Sequence, residues 1–138
     1  MSKTLLLFKP KSTGPIKLHP TKEEWESTEY LPRKLECKRF ARVDGKMSKI
    51  ILRDGRTIWF NMWADDTCDL RKSPNLLGTL ITNPLAESYP WRIFGNCIME
   101  PYDDTPLRKG DWDRIEDALF GDKVLIKNNC IANGISMK

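Results

Sequence analysis

Residues 34–63 read KLECKRFARV, then Asp44-Gly45, KMSKIILR, Asp54-Gly55 and RTIWFNMW. Each Asp-Gly pair is flanked by β-branched and aromatic residues, which is the strongest short-range signal for a β-hairpin. A type I′ turn needs a positive φ at both central positions, which aspartate tolerates and glycine adopts freely. The pattern therefore predicts an antiparallel three-stranded meander over about 34–63.

Two-residue turns would fix the pairing of the predicted strands. Ile51 then faces Ile58, and Lys49 faces Phe60, across the second hairpin. Because side chains alternate between the faces of a strand, cations and apolar residues meet on one face. That face carries the cations Lys38, Arg42, Lys49, Arg53 and Arg56 around the apolar residues Phe40, Met47, Ile51, Ile58, Phe60 and Met62.

Basic side chains between aromatic rings are typical of surfaces that bind single-stranded nucleic acid, because cations neutralise phosphates and bases stack on rings. The same apolar residues could instead lie under a helix, with the lysines and arginines reaching solvent at its rim. The sequence leaves both interpretations open. The predicted interface consists of the phosphate contacts Lys38, Arg42, Lys49, Arg53 and Arg56 and the stacking rings Phe40 and Phe60.

The composition predicts a single globular domain over 1–138. Hydrophobic residues make up 40% of the 138 residues and charged residues 30%, which suits a soluble chain with a core. Residues 1–60 hold 14 Lys and Arg against 7 Asp and Glu, whereas residues 61–138 hold 9 against 12. This asymmetry favours an anionic partner for the first half of the chain.

The cysteines and the termini point to a cytoplasmic protein. Cys37, Cys68, Cys97 and Cys130 are far apart in sequence, and His19 is the only histidine. Reduced thiols are therefore expected, with no zinc site and no other metal or cofactor. No stretch resembles a signal peptide or reaches membrane-spanning length, so no membrane contact is expected.

Capping signals and periodicity complete an α+β pattern. Thr21 and Glu24 form a capping box that predicts a helix to about Tyr30, ended by Pro32. A small, partly open β-barrel is one option within this class. Further helices are predicted over 75–82 and 112–120, and further strands over 4–9, 89–99 and 123–127.

No complete catalytic motif occurs, so the sequence favours a protein that is not an enzyme. Glu36-Cys37-Lys38 has the E-x-K form found on a strand of many metal-dependent nucleases. Such a site needs a further carboxylate from an adjacent strand, because Mg²⁺ requires converging oxygen ligands. No such acid is evident, and a nuclease is the third hypothesis.

The leading hypothesis is a small non-enzymatic protein that binds RNA or single-stranded DNA through the basic, aromatic sheet face. The second is a protein-binding regulator or inhibitor, such as a virus-encoded accessory protein acting on a host protein. In that case Trp and Met side chains would form an apolar contact with a charged rim. The sequence fixes neither the partner nor the oligomeric state.

Overall fold

The computed structural model describes residues 3–12, 14–66, 71–82 and 93–120. Within these ranges strands and helices mix, and the predicted α+β class is confirmed. The strands are β1 (Leu5–Phe8), β2 (Ile16–Leu18), β3 (Phe40–Arg42), β4 (Ser48–Ile51), β5 (Thr57–Asp65) and β6 (Cys97–Pro101). The helices are α1 (Lys22–Glu26), α2 (Tyr30–Leu35), α3 (Leu76–Thr82) and α4 (Asp111–Phe120).

The strands form one antiparallel sheet in the order β2-β1-β6-β5-β3, and β4 also pairs with β5. Among the described strands, β2 is one edge, and β3 and β4 share the other. The sheet is therefore not closed into a barrel. No helix in the described ranges is both long and apolar enough to cross a bilayer.

The predicted first hairpin differs from the structure. β3 and β4 do not pair with each other, because Arg42 pairs with Trp63 and Ser48 with Phe60, both in β5. The nine residues of β5 are enough to pair with both short strands in succession. Asp44-Gly45 lies in a 3₁₀ turn between them, with Gly45 at φ 66°. The turn makes a bulge in the edge strand.

The predicted second hairpin is present, but its loop has three residues, 53–55. The Leu52 N–H donates to the Arg56 carbonyl at 2.8 Å, and Gly55 adopts φ 92°. A three-residue loop with a glycine in the left-handed region is the next most common hairpin after the two-residue one. Compared with the predicted pairing, β4 is shifted by one residue along β5.

This shift reverses the faces of β4 relative to β5, because a one-residue slip moves every side chain to the other face. Ile50 pairs with Ile58, and Ile51 pairs with Thr57. Ile50 is consequently buried in the core with Ile58, whereas Ile51 is 61% exposed on the opposite face.

The first face of the sheet is covered by α3 and α4. Ile58, Phe60 and Met62 are buried under these helices, as the alternative interpretation of the sequence expected. The predicted helices over 75–82 and 112–120 correspond to α3 and α4. The main core residues on this face are Leu6, Phe8, Ile50, Leu52, Ile58, Phe60, Met62, Leu77, Leu80, Ile81, Met99 and Ile115.

A buried ion pair holds α4 to the loop between β4 and β5. The Asp111 carboxylate accepts hydrogen bonds from the Arg108 N–H at 2.5 Å, from Arg114 Nη1 at 3.0 Å, and from Arg56 Nη2. Burial raises the pKa of this carboxyl, but the three donors outweigh burial, so the pKa of Asp111 lies below its ordinary value.

The second face is covered by α1 and α2 over only one half. The capping box is confirmed, because Thr21 Oγ1 accepts from the Glu24 N–H at 3.1 Å and Glu24 Oε1 accepts from the Thr21 N–H at 2.9 Å. Pro32 does not end the helical region: it lies in the first turn of α2, where its missing N–H is not needed. The covered half is built from Leu5, Leu7, Leu35 and Ile98, with Leu18, Trp25, Tyr30, Leu31 and Trp63 packed against them.

Two predictions concern residues that the structure leaves undescribed in whole or in part. The predicted strand over 123–127 lies outside the described residues. Of the predicted strand over 89–99, residues 97–99 belong to β6, and residues 89–92 lie outside the described ranges.

Candidate nucleic-acid interface

The half of the second face that α1 and α2 do not cover carries Lys49, Ile51, Trp59 and Tyr102, here called the open surface. Lys49 lies opposite Trp59 across the β4–β5 pair, with its Nζ 5.4 Å from the indole centroid. The Tyr102 N–H donates to the Trp59 carbonyl at 2.7 Å, so Tyr102 flanks the other side of Trp59. Trp59 is 40% exposed and Tyr102 46%. Both rings are thus accessible beside a cation.

The edge formed by β3, the 3₁₀ turn and β4 is strongly basic. Between Cys37 and Arg53 the only acidic residue is Asp44. Within the described ranges, two of the cations have acidic neighbours, Asp66 for Arg39 at 4.0 Å and Asp117 for Arg53 at 3.5 Å, but these pairs are exposed and therefore weak. The exposed cations of this basic edge are Lys38, Arg39, Arg42, Lys46, Lys49 and Arg53.

A row of polar side chains marks the border between the open surface and the helix-covered half. Arg42 Nη1 donates to Asn61 Oδ1 at 3.4 Å, and Asn61 Nδ2 donates to Glu100 Oε1 at 3.3 Å. Lys3 Nζ contacts Glu100 Oε2 at 2.6 Å. The Trp63 indole N–H also donates to Glu100 Oε1, at 2.9 Å. Glu100 thereby links the two halves of the face.

A cleft of about 220 Å³ opens next to Tyr102 and is called the Tyr102 cleft. It lies beside the open surface, because Tyr102 borders both. Lys3 lines the cleft. Its Nζ contacts Glu100 and lies 3.6 Å from Asp103 Oδ1. The residues around the cleft are Lys3, Thr4, Pro101, Tyr102, Asp103, Pro106 and Leu107.

The structure separates the predicted phosphate contacts into two groups. Arg56 is directed to the buried carboxylate of Asp111 beneath the first face, away from the other cations. The prediction placed it with them because it assumed a two-residue turn. The other four, Lys38, Arg42, Lys49 and Arg53, are exposed along the basic edge.

The predicted stacking rings are less accessible than expected. Phe60 is fully buried on the first face, because the alternation of β5 directs it towards α3 and α4. Phe40 is half-buried and packs edge-on against Trp63, with ring centroids 5.6 Å apart. Among the described residues the exposed rings are Trp59 and Tyr102, which the predicted interface did not include.

The sequence does contain a signal for Trp59. In β5 the residues at 58, 60, 62 and 64 are Ile, Phe, Met and Ala, whereas those at 57, 59, 61, 63 and 65 are Thr, Trp, Asn, Trp and Asp. This alternation separates a purely apolar row from a mixed one. The exposure of Tyr102 has no comparable signal, because it depends on where β6 ends.

The nuclease hypothesis required Glu36 to lie on a strand, but the structure places it at the end of a helix. Glu36 is the C-cap of α2 in the left-handed region at φ 56°, and its Oε2 accepts from Asn96 Nδ2 at 2.9 Å. Within the described ranges no group of three or more His, Cys, Asp and Glu side chains could hold a metal ion. The carboxylates that a Mg²⁺ site needs do not converge around Glu36 in this part of the chain.

The two described cysteines are poor nucleophiles. Burial raises the pKa of the Cys97 thiol, and burial together with the charge of Asp65 raises that of Cys37. Both side chains are therefore protonated at neutral pH, and the thiolate is the reactive form.

No protein-family model, curated protein or solved structure matches this chain. Function must therefore be inferred from the chain's own surfaces.

Proposed function

We propose that this protein is a small, non-enzymatic binding protein that holds RNA or single-stranded DNA on its open surface and basic edge. One observation carries the proposal: the exposed indole of Trp59 lies between Lys49 and Tyr102, next to an edge with six exposed cations. Ile51, Trp59 and Tyr102 together form an uncovered apolar patch, and such a patch often marks a binding surface on a soluble protein.

The exposed rings would bind the bases. A base stacked on an aromatic side chain contributes about 1–3 kcal/mol, and every base can stack. Trp59 and Tyr102 extend from neighbouring strands, which lie about 4.8 Å apart, so each ring can stack its own base. Bases paired inside a duplex present no such face, and the surface should therefore prefer single strands.

The basic edge would bind the phosphates. Lys38, Arg42, Lys49 and Arg53 follow the length of β5, which is about 26 Å between its first and last residues. A short site of about four nucleotides suits that length. If four phosphates are neutralised on a single strand, log K falls with log salt with a slope of about −3.

A cytoplasmic location and independence of cofactors are part of the proposal. Cys37 and Cys97 are free thiols, as expected in a reducing compartment. Stacking and charge neutralisation need no metal or prosthetic group.

The protein-binding regulator remains the second candidate because of Ile51. Its side chain is 61% exposed beside Trp59, and an aliphatic group contributes little to the binding of phosphates or bases. An apolar centre with a charged rim is typical of protein interfaces. Nuclease treatment separates the two candidates: a partner captured from lysate through nucleic acid should be lost after digestion, whereas a protein bound through Ile51 should be retained.

Fluorescence anisotropy with a labelled single-stranded hexamer tests the proposal. Affinity should fall about 50-fold between about 50 and 200 mM salt, and a duplex of the same sequence should bind more weakly. Lys49→Gln should make the salt slope shallower by about 0.7. Lys17→Gln is the matched control, because it removes the same charge from the exposed β2 edge and should leave the slope unchanged. Absence of binding, or binding that salt does not weaken, would contradict the proposal.

A further inference from the structure

We propose that the Tyr102 cleft binds a guanine base next to the base stacked on Trp59, so that the protein prefers single strands that contain guanine. The inference rests on the proposed function and gives it a base preference. Its starting point is that Tyr102 belongs both to the open surface and to the wall of the cleft.

The size of the cleft suits one base. Its volume of about 220 Å³ lies below the range of about 300–1,000 Å³ that is usual for pockets of drug-sized ligands. The ring of Tyr102 and the side chains of Pro106 and Leu107 supply apolar surface. A strand whose preceding base lies on Trp59 would bring its next base to this position.

The charges at the cleft exclude a phosphate. Lys3 is accompanied by two carboxylates, Glu100 at 2.6 Å and Asp103 at 3.6 Å, so negative charge is in excess. A phosphate would be repelled, whereas the N–H groups of a base would find acceptors. The cleft therefore suits the base of a nucleotide, and the phosphates are left to the basic edge.

Lys3 and Asp103 form a donor and an acceptor side by side. The ammonium of Lys3 has three N–H donors: Glu100 takes one of them, and the ammonium also lies 4.6 Å from the centroid of the Trp25 ring. Asp103 is 84% exposed in its side chain, and its pairing with Lys3 is weak at that exposure. Both carboxylate oxygens of Asp103 can therefore accept hydrogen bonds from a ligand.

Guanine matches this arrangement better than the other bases do. Its N1–H and N2–H donors are adjacent and can bind both oxygens of one carboxylate, while its O6 accepts from the ammonium. Uracil offers a single N–H, and adenine and cytosine place a ring acceptor beside their amino group. Two parallel hydrogen bonds to a carboxylate are geometrically specific, and at an exposed carboxylate their contribution is modest. Asp103 is thus the specificity-determining residue, and Lys3 assists it.

Two labelled hexamers test the inference: one of uridines only, and one with a single guanosine. The guanosine hexamer should bind about tenfold more tightly to the native protein. Asp103→Asn should bind the two hexamers with equal affinity, because an amide presents one acceptor and one donor to the two guanine donors. Asp104→Asn is the matched control: it removes the same charge from an exposed neighbour outside the cleft and should keep the ratio. Inosine, which lacks the 2-amino group, should give an intermediate affinity.

The possible failures are distinguishable. If both hexamers bind equally and salt weakens both, the guanine site is refuted and the proposed function stands. A ratio that persists in Asp103→Asn also refutes it, since the preference would then arise elsewhere. If neither hexamer binds, the proposed function fails, and the guanine site falls with it.

Discussion

Trp59 and Trp63 extend from the same strand and the same face of the sheet, four residues apart, yet their surroundings differ. Trp63 lies in the half covered by α1 and α2, where its indole N–H donates to Glu100 and its ring meets Phe40 edge-on. Trp59 lies beyond the helices, 40% exposed, with Lys49 above its ring. The reach of the helices, and not the residue type, decides which ring is the more covered: Trp63 is half-buried, whereas Trp59 is exposed.

The difference also indicates what each ring contributes. Covering an indole stabilises the fold, whereas an uncovered indole contributes less to stability and is accessible to a ligand. The covering helices have five and six residues, too few to extend over the whole face. A third ring sharpens the contrast: Phe60, next to Trp59 in sequence, lies in the fully covered first face.

The largest predicted effect contrasts Phe60 with Trp59. Phe60→Ala should lower the free energy of unfolding by about 4 kcal/mol, because it removes a fully buried ring and leaves a cavity. Trp59→Ala should lower it by about 2 kcal/mol, because part of the indole is covered, and should also weaken oligonucleotide binding about tenfold. Urea denaturation gives the first quantity, and anisotropy gives the second.

The two variants serve as controls for each other, because they remove aromatic rings from adjacent positions of β5. Equal losses of stability would mean that Trp59 is part of the core in solution. Unchanged affinity in Trp59→Ala would remove the stacking platform from the proposed function.

Much of the fold could be predicted because local signals were sufficient. The capping box at Thr21, the helix that starts at Asp111 and the turn at Asp54-Gly55 each depend on a few neighbouring residues. The length of the turn could not be predicted in the same way. Two-residue and three-residue loops around Asp54-Gly55 are both common, and burial of Ile50 against Ile58 selects the longer one.

The candidate site was predicted in part for the same reason. Lys38, Arg42, Lys49 and Arg53 are exposed, because long charged side chains at the edge of a sheet can reach solvent past their neighbours. The rings depend on register, and a shift of one residue exchanged the expected Phe60 for Trp59. Tertiary pairing between distant residues also removed Arg56, because its partner Asp111 lies 55 residues further along the chain.

The next effect in size concerns the covered first face and its dependence on pH. Asp111→Asn should lower the free energy of unfolding by about 3 kcal/mol at neutral pH, because it leaves Arg56 without its buried anion. The pKa of Asp111 is lowered in the folded state, so its stabilisation is complete above the unfolded pKa of about 4. The stabilisation is lost as the pH falls through the lowered folded value.

Urea denaturation over a series of pH values checks this prediction. The difference in stability between the native protein and Asp111→Asn should shrink as the solution is acidified below about pH 4. Asp113→Asn is the matched control on an exposed position of the same helix and should show a small, nearly constant difference. A difference for Asp111→Asn that does not change with pH would mean that the folded carboxyl titrates normally.

The smallest effect tests the border between the covered and open halves. Glu100→Gln should lower the free energy of unfolding by about 1 kcal/mol, since glutamine can still accept from Trp63 but loses the charge that binds Lys3. A double-mutant cycle with Lys3→Met should therefore give a coupling energy of about 1 kcal/mol, whereas the exposed Lys17→Met should show none with Glu100. Glu100 accepts a hydrogen bond from Asn61, which in turn accepts one from Arg42, so Glu100→Gln acts on the basic edge only indirectly. It should therefore weaken oligonucleotide binding less than Trp59→Ala does. A loss of affinity as large as that of Trp59→Ala would mean that the polar row, and not the exposed indole, is the centre of the interface.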